Sequence, residues 1–176
     1  NQITERTGIA VVSDFRQRDV AAHGQGAPLV PAFHRAIWQH PTRHRVVLNI
    51  GGMANVSVLP AGQPQAVYGF DTGPGNVLMD SWCLTHTGQP FDESGAWAAQ
   101  GQVHAALLAQ LQDHGYFALP APKSTGRETF CREWLDQQLV AFGGVEPVDV
   151  QATLLALTAW SIAEAIGTTG LCGGEL

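Results

Sequence analysis

Basic residues are scarce and scattered. Nine lysines and arginines stand against fifteen aspartates and glutamates, a net charge of −6, and no Lys/Arg cluster occurs. A nucleic-acid or anionic-lipid surface needs such a cluster, so neither partner is expected; cationic or metal-bound partners are not excluded. Cysteine is rarer still. Cys83, Cys131 and Cys172 are odd in number and form no Cys-x-x-Cys pair, the usage of buried thiols in a reducing cytosol. No apolar run approaches the ~20 residues of a membrane-spanning helix. No charged-then-apolar leader opens the chain either, so a cytoplasmic protein without membrane contact is expected. The "NVS" sequon at Asn55 carries no weight in that compartment. A Gly-x-Ser-x-Gly elbow is lacking, which argues against a serine hydrolase. The seven histidines are dispersed; His40 and His44 are four apart, but Pro41 lies between them and no carboxylate is nearby, so no zinc site is expected. Neither an internal repeat nor a low-complexity tract appears.

What is present is an ordinary globular composition, 45% hydrophobic and 14% charged over 176 residues. That suffices for one domain with a real core and part of a second. The opening "NQITERTGIAVV" has neither cap nor Met, and the closing "GLCGGEL" stops on a glycine turn, so the chain is expected to be a middle piece of a longer protein. "GIAVVS" (8–13) is β-branched and reads as a buried strand. "DFRQRDVAAHGQGAPLVP" (14–31) reads as a loop stiffened by Pro28 and Pro31. "AFHRAIWQH" (32–40) has helical spacing and ends at Pro41. The polar "PTRHR" that follows is the candidate boundary, dividing residues 1–45, the end of a first lobe, from 46–176, a second lobe.

"VVLNIGGMANVSVLP" (46–60) reads as strand, glycine turn, strand. A further strand is expected at 66–70, and helical spacing begins near Gly75. Three later segments read as helices: 91–115 with Asp92 or Ser94 as N-cap, 127–142, and the long apolar 148–166. Strands followed by helices predict an α/β class, with a mixed sheet that begins in a hairpin.

Three polar, glycine-rich loops are expected at strand ends, where ligands bind in α/β sheets: 14–26, 49–55 and 71–76. In "NIGGMAN", Gly51 and Gly52 would let backbone N–H groups approach a phosphate-like oxyanion, although a tight hairpin needs the same pair. In "FDTGPGN", Asp71 ends an apolar strand. Burial there would raise its pKa and make it a proton acceptor; the alternative is an Asp that only bonds its own turn. Gly73 and Gly75 would allow close ligand approach, and a helix starting near Asn76 would turn its positive end to the same cleft. Arg18 beside Asp19 pairs a fork of donors with an acceptor suited to a sugar, while Arg16 and Arg18 could equally be surface charges. "PKSTGRE" (122–128) lacks the upstream glycine of a P-loop. It reads as a helix cap through Ser124 or Thr125 with Glu128, with phosphate contact by Lys123 or Arg127 the alternative.

The segments "DFRQRDVAAHGQGAPLVPAFH", "LNIGGMANVSVL" and "GFDTGPGNVLMDSW", followed by "PKSTGRE" and "DVQATLLALTAWSI", resemble the anhydro-N-acetylmuramic acid kinase family in order and across nearly the whole chain. The resemblance implies an actin-like ATPase (ribonuclease H-like) fold of two lobes with the nucleotide between them. It implies a homodimer active in peptidoglycan recycling, using ATP, Mg²⁺ and water to open the 1,6-anhydro ring and phosphorylate O6. By the same resemblance Asp71 is the general base, and Arg18 and Asp19 hold the sugar. Gly51, Gly52 and Asn55 lie by the ATP phosphates, and Gly73, Gly75 and Asn76 line the cleft.

The chain departs from the family pattern at His23, where glycine is usual, and at Glu175, which replaces the third glycine of the adenosine-binding turn. The family's Gly-Thr-Ser phosphate loop with its acidic residue near the metal does not occur in these residues, nor does the later sugar-site carboxylate. No metal ligand is therefore assigned, and little activity is expected of this piece alone. A non-catalytic sugar- or nucleotide-binding module is the first alternative. A glycoside hydrolase pairing Asp71 with Asp14 or Asp19 is the second.

Overall fold

The computed structural model describes residues 2–171. Three strands form its sheet: β1 (Arg45–Ile50), β2 (Met53–Leu59) and β3 (Tyr68–Pro74), in that spatial order and antiparallel throughout. The sequence "NIGGMAN" does make the β1–β2 hairpin. The register sets Val46 opposite Val58, Leu48 opposite Val56, and Val56 opposite Phe70. Because side chains alternate across a strand, these residues share one face. Val46, Val56, Val58 and Phe70 are buried there against Ala165 of the last helix. The other face carries Asn49, Asn55, Ser57 and Asp71, also paired in register. One sheet thus has an apolar face for the core and a polar face for a cleft.

The described residues form seven α-helices: α1 (Gln2–Thr7), α2 (Phe15–Ala21), α3 (Pro31–Trp38), α4 (Val77–Thr87), α5 (Ala105–Gln112), α6 (Arg132–Leu139) and α7 (Pro147–Gly167). Pro31 and Pro147 stand at helix starts, where the missing N–H costs nothing. Gly88 closes α4 in the left-handed conformation (φ 74°). The main core gathers Leu78 and Trp82 of α4, Leu107 and Leu111 of α5, Leu135 of α6, and Leu154 and Leu157 of α7. By length and composition α7 could cross a membrane, contrary to the expectation that no run comes near that length. Here it is the central core helix, burying Gln151, Thr153, Thr158 and Ser161 along with its apolar residues.

Several expectations are corrected. "GIAVVS" is not a buried strand: Ile9 and Val12 are 64% and 83% exposed, and no described residue pairs with this run. A strand without a ladder partner leaves its backbone to water, so propensity alone does not make one. The loop expected at 14–31 contains α2. Asp92 caps no long helix; its carboxylate accepts from the Trp97 and Ala98 N–H groups and holds two short 3₁₀ turns, with α5 beginning at Ala105. The glycine turn at 172–176, Glu175 included, lies outside the described residues.

Candidate active site

Asp71 sits in β3 opposite Asn55, and the ladder slips one residue beyond it: Ala54 faces Gly73, so Thr72 is left over as a bulge. Bulges re-aim neighbouring side chains and are frequent beside active sites. Asp71 is 5% exposed, yet it borders a cavity of about 510 Å³ together with Arg16, Pro28, His34, Asn49 and Asn55. The cavity lies over the polar face of the sheet. Gly69 lets the chain between α2 and α3 close over that face, because a Cβ there would stand 2.6 Å from Pro31 and 3.1 Å from Pro28.

Every polar group of Asp71 but one is tied down. Its N–H donates to the Lys123 carbonyl (2.9 Å), and its own carbonyl accepts the Tyr116 hydroxyl (2.6 Å). Ser124 Oγ and the Thr125 N–H both donate to Oδ2, each at 3.0 Å. Among the described residues nothing donates to Oδ1. Burial pushes the carboxyl above the usual carboxylate range; the Thr125 N–H, the Ser124 hydroxyl and the Arg16 guanidinium pull the other way with less effect. Burial and the Asp71 charge together push the Tyr116 hydroxyl up, which keeps it a donor. Lys123 Nζ donates to the Tyr116 and Phe117 carbonyls (3.0 and 3.1 Å), so it clamps the 116–125 segment around Asp71. The helix cap expected at Ser124 or Thr125 is therefore not formed: no helix starts there, and the Ser124 hydroxyl and Thr125 N–H both go to Asp71.

The glycines serve the protein's own packing. A Cβ on Gly73 would meet Phe117 at 2.8 Å and Ser161 at 3.2 Å; one on Gly75 would stand 2.1 Å from the Gly51 carbonyl oxygen. The Gly75 and Val77 N–H groups donate to the Gly52 carbonyl and the Asn76 N–H to that of Gly51. Three amides at the start of α4 are thus spent on the hairpin and not offered to a ligand. Thr158 Oγ1 of α7 donates to the Pro74 and Gly75 carbonyls and fixes the turn from below. Gly52 differs. Nothing stands nearer than 3.9 Å to its missing Cβ, and the two groups at that distance are Arg127 Nη2 and Asn76 Oδ1. An open glycine edged by a guanidinium and an amide suits a phosphate oxygen.

Of the pair expected to hold a sugar, Arg18 is exposed on α2, and Asp19 accepts the Gly26 N–H through Oδ2 (2.8 Å), shaping the 19–26 loop. Arg16 donates to the Gly26 carbonyl (2.6 Å) and borders the cavity. His34 Nδ1 is 2.8 Å from Ser57 Oγ, both buried, and burial lowers its pKa. Sequence reasoning passed over Asn49 and His34. Strand alternation from Asn55 and Asp71 marks the face Asn49 shares, whereas nothing in a lone helical histidine marks His34.

The described residues include no group of three or more His, Cys, Asp or Glu placed for a metal. No magnesium ligand is assigned among them.

Comparison with known proteins gives two findings. Residues 1–174 match the family model described as anhydro-N-acetylmuramic acid kinase. The chain is also 59% identical over 183 aligned positions to the anhydro-N-acetylmuramic acid kinase of Acinetobacter baylyi, an alignment covering 99% of this chain and 49% of that protein. The chain spans about half the length of the curated relative it matches.

Proposed function

Because the chain belongs to the anhydro-N-acetylmuramic acid kinase family, we propose that it carries the general base and part of the nucleotide site of an ATP-dependent sugar kinase. The reading rests above all on one observation: a buried carboxylate, Asp71, borders a cavity with one oxygen anchored and, among the described residues, no donor to the other.

In this reading the substrate is 1,6-anhydro-N-acetylmuramic acid. Asp71 accepts a proton from a water whose oxygen bonds to the anomeric carbon. The bond from that carbon to O6 breaks, and O6 attacks the γ-phosphorus of ATP as ADP leaves. The products are N-acetylmuramic acid 6-phosphate and ADP, with the water proton on Asp71 until solvent takes it. Raised basicity suits the carboxylate to this role. Arg16, Arg18, Asp19, Asn49 and His34 would line or shape the sugar side, and Asn55 would lie between the sugar and the phosphates. Gly51, Gly52, Asn76 and Arg127 would receive a phosphate of the nucleotide. Gly73 and Gly75 support that side by packing. Magnesium belongs to the proposal through the family alone, and no step here runs through it.

The division near residue 45 into a sugar-side lobe and a second lobe is part of the same proposal, as are a homodimer, a cytoplasmic location and weak activity of this chain in isolation. The test is product analysis with the full-length protein. ADP and sugar 6-phosphate should form in equal amounts, and only when ATP and the anhydro-sugar are both present. Ring opening without ATP would overturn the kinase reading.

A further inference from the structure

We propose that Ser124 is a positioning residue for Asp71, dividing the two carboxylate oxygens into one that is anchored and one that accepts the proton. The inference rests on the reading of Asp71 as the base. Nothing in the family match assigns Ser124 a role.

The geometry is specific. Two donors, the Ser124 hydroxyl and the Thr125 N–H, converge on Oδ2 at 3.0 Å each. A carboxylate with both donors on one oxygen cannot rotate without losing both, so Oδ1 is held in a fixed direction. No described residue donates to Oδ1, and Asp71 borders the cavity. The 116–125 segment is itself braced: Lys123 Nζ bonds two of its carbonyls, the Lys123 carbonyl accepts the Asp71 N–H, and Tyr116 bonds the Asp71 carbonyl. Backbone and carboxylate of the base are thus held by one stretch of chain. The two donors differ in kind. The Thr125 amide is present whatever side chain stands there, while the Ser124 hydroxyl is supplied by the side chain and can be removed.

Two consequences follow from removing it. The carboxylate gains rotational freedom, so fewer molecules present Oδ1 to the attacking water. A hydrogen bond that favours the charged form is also lost, so the carboxyl becomes harder to ionise. Ser124 spends its hydroxyl on Asp71 and does not line the cavity beside it, so binding should be unaffected. The expected signature is a fall in kcat with KM for sugar and ATP unchanged, joined to an upward move of the acid limb of the rate profile.

The test is Ser124→Ala, Ser124→Cys and Ser124→Thr in the full-length protein, with kcat, KM and the pH dependence of kcat/KM measured for each. Ser124→Ala should lower kcat about tenfold to a hundredfold and raise the pH of the acid limb. Ser124→Cys keeps nearly the same shape with a weaker donor and should fall between Ala and wild type. Ser124→Thr keeps the hydroxyl and should restore the wild-type limb. If the Ala variant does not fold, the Cys variant decides. Wild-type kcat and an unmoved limb in the Ala or Cys variant would overturn the role of Ser124 while leaving Asp71 as base intact. Full turnover in Asp71→Asn would instead sink the reading on which the inference rests. Titration of the Asp71 carboxyl by ¹³C NMR gives a readout free of turnover: it should titrate at higher pH in Ser124→Ala than in wild type, and equality would count against the proposal.

Discussion

Asn55 and Asp71 face one another across the β2–β3 ladder, and the next residue of β3, Thr72, has no partner of its own. That single extra residue separates two tasks. Before it, β3 alternates Phe70 into the core and Asp71 into the cleft. After it, Gly73 to Gly75 are buried as a turn locked under the β1–β2 hairpin.

Holding an ionisable carboxyl at this depth costs stability. Its pKa is raised in the folded protein, so the folded state binds the proton more tightly than the unfolded chain. The favourable contribution is therefore present below the ordinary carboxylate pKa and is lost as pH rises through the folded value. Asp71→Asn leaves an amide oxygen able to accept from Ser124 and Thr125 without the charge. Its melting temperature at pH 7 should exceed that of wild type by on the order of a few degrees, the gap closing as pH falls toward the carboxylate range. Thermal scans across pH check this, and a variant less stable at pH 7 would contradict it.

Two hairpin glycines should respond in opposite ways. A methyl group at Gly75 meets the Gly51 carbonyl at 2.1 Å, backbone against backbone, so Gly75→Ala should cost roughly 1–3 kcal/mol or more in urea unfolding. At Gly52 nothing lies within 3.9 Å, so Gly52→Ala should leave the urea midpoint nearly unchanged. It should nonetheless weaken ATP binding if a phosphate sits against that backbone. Equal midpoints for the two variants would refute the packing account.

The backbone of His23 is left-handed at φ 67°. A side chain in that region costs about 1–2 kcal/mol, partly offset by the greater freedom glycine has when unfolded. His23→Gly should therefore stabilise the protein by up to about 1 kcal/mol. An unfolding midpoint at or below wild type would show that the imidazole repays its strain.

The first 38 residues leave much apolar surface open: Ile9, Val12, Phe15, Val20, Phe33 and Ile37 are each more than half exposed. Surfaces of this kind drive association. The isolated chain should bind a hydrophobic dye and self-associate in sedimentation, and Val12→Asp with Phe33→Asp should reduce both. A monodisperse, dye-negative wild-type chain would contradict this.

The hairpin and the long apolar helix are legible in the residues, because β-branched runs flanking a glycine pair and the 3.6-residue spacing of 148–166 are strong local signals. The reading of Asp71 as the end of its strand is corrected: β3 runs on to Pro74, and the bulge at Thr72 lets it continue past the acid. The run "GIAVVS" misled for a physical reason: its composition suits a strand, but strand formation depends on a partner that local sequence does not reveal. The cap reading of Ser124 and Thr125 fails because a hydroxyl that could accept at a helix N-terminus can equally donate to a carboxylate 53 positions away, a contact made only by tertiary folding. Gly73 and Gly75 were noticed as glycines in the right loop, yet what fills the space beside them, Phe117 and the Gly51 carbonyl, comes from segments distant in sequence.

The measurement that bears most directly on Asp71 as the base is a split of binding from turnover in the full-length Asp71→Asn protein. Calorimetry should find the anhydro-sugar and ATP bound about as tightly as in wild type, while kcat falls by about 10²–10⁴-fold. Turnover within about tenfold of wild type would contradict that role.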